Sequence, residues 1–292
     1  MKTTTRLTLA ICMFLFANQL FGQQEGGQKY QVQTRDGNEF VGLIVFEDED
    51  EIRLLTEAFG EIRVLRSNIL RVRKIEEDNI REGLLWPDNP QSTRYFWAPN
   101  GYGLEKGESY YQNILVLYNQ ATFGLTNNFS LSAGMIPLFL FRAGITPVWV
   151  VPKFSIPLEK DKINLGAGAF VGALLGEQQS FGILFGALTL GSRDKNISFS
   201  MGWGYAGSDW ANAPLINVGV LLRAGPKGYF ISENYFIPLG GSTGVILSAG
   251  GRSIIRNVGL DYGLFVPIAD GEIFGIPFLG VSIPFGKKDK VN

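Results

Sequence analysis

Between Asn196 and Tyr205 the chain alternates without a break. Ile197, Phe199, Met201, Trp203 and Tyr205 fall on one parity, and Asn196, Ser198, Ser200, Gly202 and Gly204 on the other. A period of two belongs to an extended strand, whose successive side chains point to opposite faces. One face here is large and apolar and the other small and polar. The same pattern recurs along the second part of the chain. Phe181, Ile183, Phe185 and Ala187 share one face, as do Val245, Leu247 and Ala249. Ile216, Val218, Val220 and Leu222 lie opposite Asn217, Gly219 and Arg223; Val258, Leu260, Tyr262, Leu264 and Val266 lie opposite Asn257, Gly259, Asp261 and Gly263. Strands such as Asn164–Leu175 and Gly244–Ile255 are longer than the five or six residues usual in soluble sheets. They match the roughly 9–11 residues of a strand that crosses a bilayer on a tilt. The reading is therefore all-β: an antiparallel transmembrane β-barrel, with its apolar faces towards lipid and its small polar faces inward.

The turns sort into two sets. Thr126-Asn127-Asn128, Glu159–Lys162, Ser192–Lys195, Gly225–Gly228 and Arg256-Asn257 are tight, whereas Glu177–Gln179, Gly207–Ala213 and Ala269–Glu272 belong to the opposite end. Eleven strands are read from Tyr110 onward. Because bacterial single-chain barrels have even numbers, Thr93–Ala98 is taken as the first, giving about 12; ten is the alternative if Leu138–Pro147 is a loop. The rival is an apolar helix across Ala133–Pro152. Pro137, Pro147 and Pro152 argue against it, and so does Arg142, which would cost roughly 2.5–3.5 kcal/mol at the centre of a membrane.

In front of this part lies a segment of another kind. Gln23 to Gly83 carry 23 charged side chains in about 60 residues, against 28 in about 210 from Leu84 onward. Five strand signals occur in it, at Tyr30–Thr34, Phe40–Phe46, Ile52–Thr56, Ile62–Leu65 and Ile69–Arg73. Asp36-Gly37 supplies a hairpin turn, because glycine accepts positive φ. Before them, Lys2 and Arg6 precede the apolar run Leu7–Leu20, and Gly22 precedes a polar stretch. That is the layout of a cleaved export signal, and the run is shorter than the roughly 20 residues of a membrane-spanning helix. The expected organisation is 1–22 signal, 29–75 small periplasmic β-domain, 76–91 linker, 92–286 outer-membrane barrel and 287–292 basic tail.

Composition narrows the chemistry. Histidine is absent and Cys12, inside the signal, is the one cysteine. Hydrolases built on a titrating imidazole, imidazole metal sites, thiolate chemistry and disulfides are thereby excluded from the mature chain. A net charge of −1 gives no basic footprint for nucleic acid. The acidic run Glu47-Asp48-Glu49-Asp50-Glu51 lacks the spacing and glycine of an EF-hand loop, and a solvated hairpin tip is its plainer reading. Gly166-Ala167-Gly168 and Gly202-Trp203-Gly204 are strand glycines with no helix after them, so they are not nucleotide loops. No cofactor and no enzyme activity are expected.

Alternation puts Lys153, Arg223, Glu233, Arg252 and Asp261 on the inner faces. Opposed charges there can line a selective pore, or pair with one another in a plugged, glycine-narrowed lumen, which is the favoured reading since neither sign prevails. Three roles stay open: a structural or scaffolding barrel whose small domain (29–75) holds a periplasmic protein partner, a narrow channel for small solutes, and a histidine-free lipid enzyme using Asp261 or Glu233.

Two resemblances add to this. Asp36-Gly37, Gly42, Glu61-Ile62-Arg63-Val64 and Ile69 resemble the strand order of Sm-like and SH3-like domains, which implies a small five-stranded barrel. Leu279, Val281, Ile283 and Phe285 alternate outward along the last strand, Ile273–Phe285, which resembles the C-terminal signal of Gram-negative outer-membrane barrels. That implies outer-membrane lipid and the barrel-assembly machinery as partners; the tail after Phe285 departs from the family, whose chains usually end on the aromatic. Ser92–Tyr95, Gly107–Tyr111 and Phe123–Thr126 are similar in texture to uncharacterised barrels of the Bacteroidota.

Overall fold

The computed structural model describes residues 27–75, 80–81, 84–137, 146–177, 179–269 and 272–286. The expected signal 1–22, the basic tail 287–292 and Arg142 lie outside them. The chain divides into two units, with the boundary between Trp86 and Pro87.

The first unit holds one antiparallel five-stranded sheet: β1 (Lys29–Thr34), β2 (Glu39–Glu47), β3 (Glu51–Thr56), β4 (Gly60–Leu65) and β5 (Ile69–Lys74). The spatial order is β4-β3-β2-β1-β5. All five strand signals in the sequence correspond to these elements within one or two residues. The turn between β1 and β2 is Asp36-Gly37, with Gly37 at φ 93°, and a 3-10 turn, Arg66–Asn68, leads into β5. Val32, Ile52, Leu54 and Val64 form its buried core, with Phe40, Ile44, Ile62 and Ile69 packed against them. The acidic run is the tip between β2 and β3. The Asp48 side chain accepts the backbone N–H of Asp50 and Glu51, and Arg66 ties the tip down through Glu47 and the Asp48 carbonyl. Glu51 turns inward, 3% exposed, with Arg53 and Arg63 over its carboxylate. The hydrogen bond from Arg53 is the main reason that its pKa lies below the usual 4.5.

The second unit is a closed barrel of twelve antiparallel strands: β6 (Ser109–Ile114), β7 (Tyr118–Gly124), β8 (Phe129–Met135), β9 (Thr146–Glu159), β10 (Ile163–Leu175), β11 (Gln179–Gly191), β12 (Lys195–Ala206), β13 (Leu215–Gly225), β14 (Gly228–Pro238), β15 (Thr243–Ile255), β16 (Val258–Ala269) and β17 (Ile276–Pro284). Each strand pairs with the next, and β17 returns to β6 through partners such as Ser282 and Gln112. Both ends of this unit therefore lie at one rim, together with the turns that follow β7, β9, β11, β13 and β15. This is the near rim; the turns after β6, β8, β10, β12, β14 and β16 form the far rim.

Twelve is the expected number, but the strands are not the expected ones. Thr93–Ala98 is no barrel strand: Thr93, Arg94, Tyr95, Phe96 and Ala98 are buried inside the barrel, with one bridge from Arg94 to Pro99. Six residues are too few to cross, and all twelve strands come from Ser109 onward. The β6–β7 turn, Leu115-Val116-Leu117, has no glycine, asparagine or proline, and so gives no turn signal in the sequence. Leu115 and Val116 sit at φ 50° and 66°, in the left-handed region that side chains, above all β-branched ones, rarely adopt. The region Leu138–Pro147 lies largely outside the described residues, though β8 ends before it and β9 begins at Thr146. Among the described residues no helix is long and apolar enough to cross a membrane; Ala133 and Pro152, the ends of the rival helix, lie in β8 and β9.

The register makes one face inward on every strand. On β12, Ser198 is fully buried whereas Phe199 and Met201 are 46% and 49% exposed. Outward neighbours continue the apolar surface, with Leu188 beside Phe199 and Leu184 beside Trp203. Strand β11 departs from the expectation. Phe181, Ile183, Phe185 and Ala187 do share a face, but it is the inner one: Phe185 packs against the interior cluster of Tyr95, Phe96 and Trp149. Its outward face, Gly182, Leu184, Gly186, Leu188 and Leu190, is the less bulky of the two. Size contrast therefore points the wrong way on this strand.

Candidate functional site

The interior is crossed by the chain that precedes β6. Pro87–Gly107 enters at the near rim, and its Gln91–Phe96 stretch is buried. The arrangement follows from the inner faces of the strands, whose short polar and glycine positions leave a channel wide enough for one irregular segment. Two seats are especially tight: a Cβ on Gly219 would lie 2.2 Å from the Tyr95 ring, and one on Gly124 2.1 Å from the Glu105 carbonyl. Gly101 approaches β10 nearly as closely, since its Cβ would meet the Asn164 carbonyl at 2.4 Å.

A segment without regular secondary structure must find partners for its backbone groups once it is buried. The five charged residues read from the sequence as inward supply many of them. Arg252, on β15, is fully buried and donates both from Nε and from Nη2 to Asp261 of β16, at 2.5 and 2.9 Å. Nη1 donates to the Asn89 side chain at 2.9 Å and the Gln91 carbonyl at 2.6 Å, and Nη2, sharing a hydrogen, also reaches the Gln91 side chain at 3.0 Å and the Tyr95 carbonyl at 2.9 Å. All five guanidinium donors are thus engaged, and Asp261 balances the charge.

Glu233, on β14, is equally buried. One carboxylate oxygen accepts three consecutive backbone N–H groups, from Phe96 and Trp97 at 2.9 Å and Ala98 at 3.1 Å. The other accepts the Tyr235 hydroxyl. Three amides converging on a carboxylate form a cradle that satisfies donors the loop cannot pair with itself. The β14–β15 ladder is adapted around it. Between the pairs Ile231–Gly250 and Tyr235–Ile246, side chains replace backbone partners: the Glu233 amide donates to Ser248 Oγ, and the Ser248 amide donates to Asn234 Oδ1.

Lys153, on β9, donates to the Thr93 and Tyr102 carbonyls at 3.3 and 2.6 Å. Arg223, at the near rim of β13, bonds Asp194 at 2.8 Å and the Pro87 carbonyl at 2.8 Å. All five thus touch the lumen segment directly or, for Asp261, through Arg252. Leu279, Ile283 and Phe285 of the final strand are exposed on the outer face, and Val281 shares their parity. Phe285 packs edge-on against Phe123 at 5.7 Å.

Several residues with the same task were not singled out from sequence. Arg94 lies in the plug itself and donates to Gln112 of β6, which returns a bond to the Phe96 carbonyl. The Tyr95 hydroxyl reaches Asn196 at 2.7 Å, the Gly101 amide reaches Thr189 at 2.7 Å, and Arg193 bonds Ser92 and the Gly103 carbonyl. The available signal was the break in period two over Pro87–Gly107, a stretch with three prolines and four polar residues from Gln91 to Arg94. No group of three or more acidic, cysteine or histidine ligands sits together among the described residues.

No protein-family model matches the chain, and no curated protein does. A solved structure, that of Pseudomonas aeruginosa OpdQ, is similar at 9% identity with a TM-score of 0.36, over 58% of this chain and 56% of that one. The similar region is thus little more than half of either chain, and no residue or activity is carried over from it.

Proposed function

We propose that the chain is an outer-membrane β-barrel protein with a closed lumen and a structural or scaffolding role, its first unit facing the periplasm as an SH3-like interaction domain. The observation that carries the closed lumen is the use made of the interior charges. In an open pore they would be left to water and solutes; here each binds the segment 87–107 or, for Asp261, the arginine that does. Membrane residence is supported by the outer face. Phe154, Ile156, Leu184, Phe199, Met201, Phe230, Leu264 and Leu279 are each more than 40% exposed on the outer face of the strands. Such a belt is costly in water and favourable in hydrocarbon. Tight turns at the near rim match the periplasmic side of barrels of this kind. The SH3-like reading is supported by the order β4-β3-β2-β1-β5 and by the 3-10 turn before β5.

The test is single-channel recording of refolded protein in a planar bilayer, alongside fractionation of the mature protein from cells. Silence in the bilayer with recovery in outer membrane fits the proposal. Steady conductance in the unmodified protein would replace it with the narrow-channel reading, and recovery in the soluble periplasm would overturn the barrel's membrane residence.

A further inference from the structure

The interior changes character towards the far rim. Around the plug its walls are polar, with Gln112, Thr122, Ser132, Lys153, Thr189, Ser198 and Arg252. Beyond Trp97 the inward positions become apolar. Phe170 on β10, Phe181, Ile183 and Phe185 on β11, Ile237 on β14 and Phe265 on β16 face the lumen there. Among the described residues, charge with inward parity in this half is confined to the rim itself, at Asp209 opposite Ala206 and Glu272 opposite Ala269.

Such a surface in an interior is ordinarily filled. Among the described residues nothing fills it. Phe170, Phe181, Ile183, Phe185, Ile237 and Phe265 are only partly buried, although they point away from the outer face, and Trp97, on top of the plug, is 44% exposed. Gly204 lies in the inner row of β12 opposite Ile183. A Cβ on it would meet only the Gly182 carbonyl, at 3.8 Å, so the space before it is open. One wall is an aromatic ladder: Trp97 to Tyr118 at 4.6 Å, Tyr118 to Trp149 at 4.5 Å, Trp149 to Phe170 at 5.6 Å and Phe170 to Phe181 at 6.0 Å. The strand next to the ladder, β12, is nearly bare, with Gly202, Gly204 and Ala206 on its inner row opposite Phe185, Ile183 and Phe181. Two buried polar atoms on neighbouring strands, Asn217 Oδ1 and Ser200 Oγ, have no hydrogen-bond partner among the described residues. Asn217 is 2% exposed, and Ser200 is its register partner.

We infer that the far half of the lumen is a binding site for an uncharged amphiphile: an alkyl chain laid along the aromatic ladder, with one neutral hydrogen-bonding head at Ser200 and Asn217. The apolar lining selects the chain, because burying it frees surface on both partners from water. Below the rim acids the described inner faces offer no charge at the level of Ser200 and Asn217, which selects against an ionic head there, since it would lose hydration with nothing to replace it. Both atoms are covered in the unliganded barrel, so the head reaches them by parting their neighbours; a hydroxyl can then both donate to Asn217 Oδ1 and accept from Ser200. The plug closes the site from below, so it is a pocket and not a path. The inference rests on the closed-barrel reading above, without depending on which membrane holds the barrel.

The test is native mass spectrometry of the whole mature protein released from a short polyether detergent, with 1-dodecanol, dodecanoate or dodecyltrimethylammonium added. Folding is scored separately as faster migration of the unboiled protein on a gel, so that loss of the barrel is distinguished from loss of binding. One dodecanol per barrel is expected, with the two ionic compounds at least tenfold weaker. Gly204→Phe, which fills the open space, should abolish the adduct. Gly186→Phe, the same change on the outer face one strand away, should keep it. Equal binding by both variants, or by all three compounds, would overturn the site. If Gly204→Phe does not fold, Trp203→Phe/Trp210→Phe protein with 12-bromododecanol decides: quenching of the remaining tryptophans that saturates at one equivalent supports the pocket, and quenching that rises linearly without saturation overturns it.

Discussion

At the scale of single residues, the inner and outer positions of one strand respond to the same substitution for different reasons. Phe199 faces outward, and an arginine there must be solvated in hydrocarbon if the belt lies in a bilayer. Near the midplane that costs roughly 2–4 kcal/mol, so Phe199→Arg should lower folding yield in lipid vesicles. Ser198 faces inward, but its hydroxyl lies 2.8 Å from Thr189 Oγ1 and it has no exposed surface. Ser198→Arg should fail too, by overpacking. Gly204→Ala, on the same inner row but facing open space, should change stability by less than about 0.5 kcal/mol. Gly219→Ala belongs with the costly group, because its Cβ would strike the Tyr95 ring. The expected loss is about 1–3 kcal/mol, read as a lower urea midpoint. A Gly219→Ala protein as stable as the parent would mean that Tyr95 is not seated there.

At the scale of elements, the β6–β7 turn is the clearest case of local conflict. Leu115 and Val116 are 46% and 80% exposed and both have positive φ. Asn-Gly is the natural pair for a turn with left-handed central residues. Replacing Leu115-Val116 by Asn-Gly should stabilise the barrel by about 1–2 kcal/mol, measured as a rise in denaturation midpoint. No gain would show that the turn is not strained as its dihedrals indicate.

In the first unit, Glu51 makes stability depend on pH. Its pKa is lower folded than unfolded, mainly through the hydrogen bond from Arg53, so the unfolded chain takes up its proton first. The contribution is complete above about 4.5 and is lost as pH falls through the lower, folded value. Urea denaturation from pH 6 downward should therefore show a decline that Glu51→Gln flattens. Identical pH profiles for the two proteins would remove Glu51 as the cause.

For the molecule as a whole, the plug links the charged interior to permeability. Glu233→Ala leaves three plug amides without their acceptor, and Arg252→Ala leaves the Gln91 and Tyr95 carbonyls without their donor. Removing both should loosen segment 87–107, so that a bilayer silent with the parent protein shows current with the double variant. Retained silence, with the barrel still heat-modifiable on a gel, would mean that the remaining contacts at Lys153, Thr189 and Asn196 suffice.

What the sequence determined by itself is what repeats locally. The period of two along β12, β13 and β16, the Asp36-Gly37 hairpin and the contrast in charge density are each written within a few neighbouring residues. They specify an all-β chain, two parts and the inward parity of Lys153, Arg223, Glu233, Arg252 and Asp261. Three matters were left to the tertiary structure. The turn at Leu115–Leu117 is held by the pairing of β6 with β7, against the local preference of its residues. Phe181, Ile183 and Phe185 turn inward because closure fixes the parity of β11 by its register with β10 and β12, whatever the size contrast of its faces. The role of Thr93–Ala98 was illegible for the same reason. A six-residue stretch with three consecutive aromatics reads as a strand until partners far away in sequence, Glu233 for its amides and Gly219 for its ring, give it a place inside the barrel.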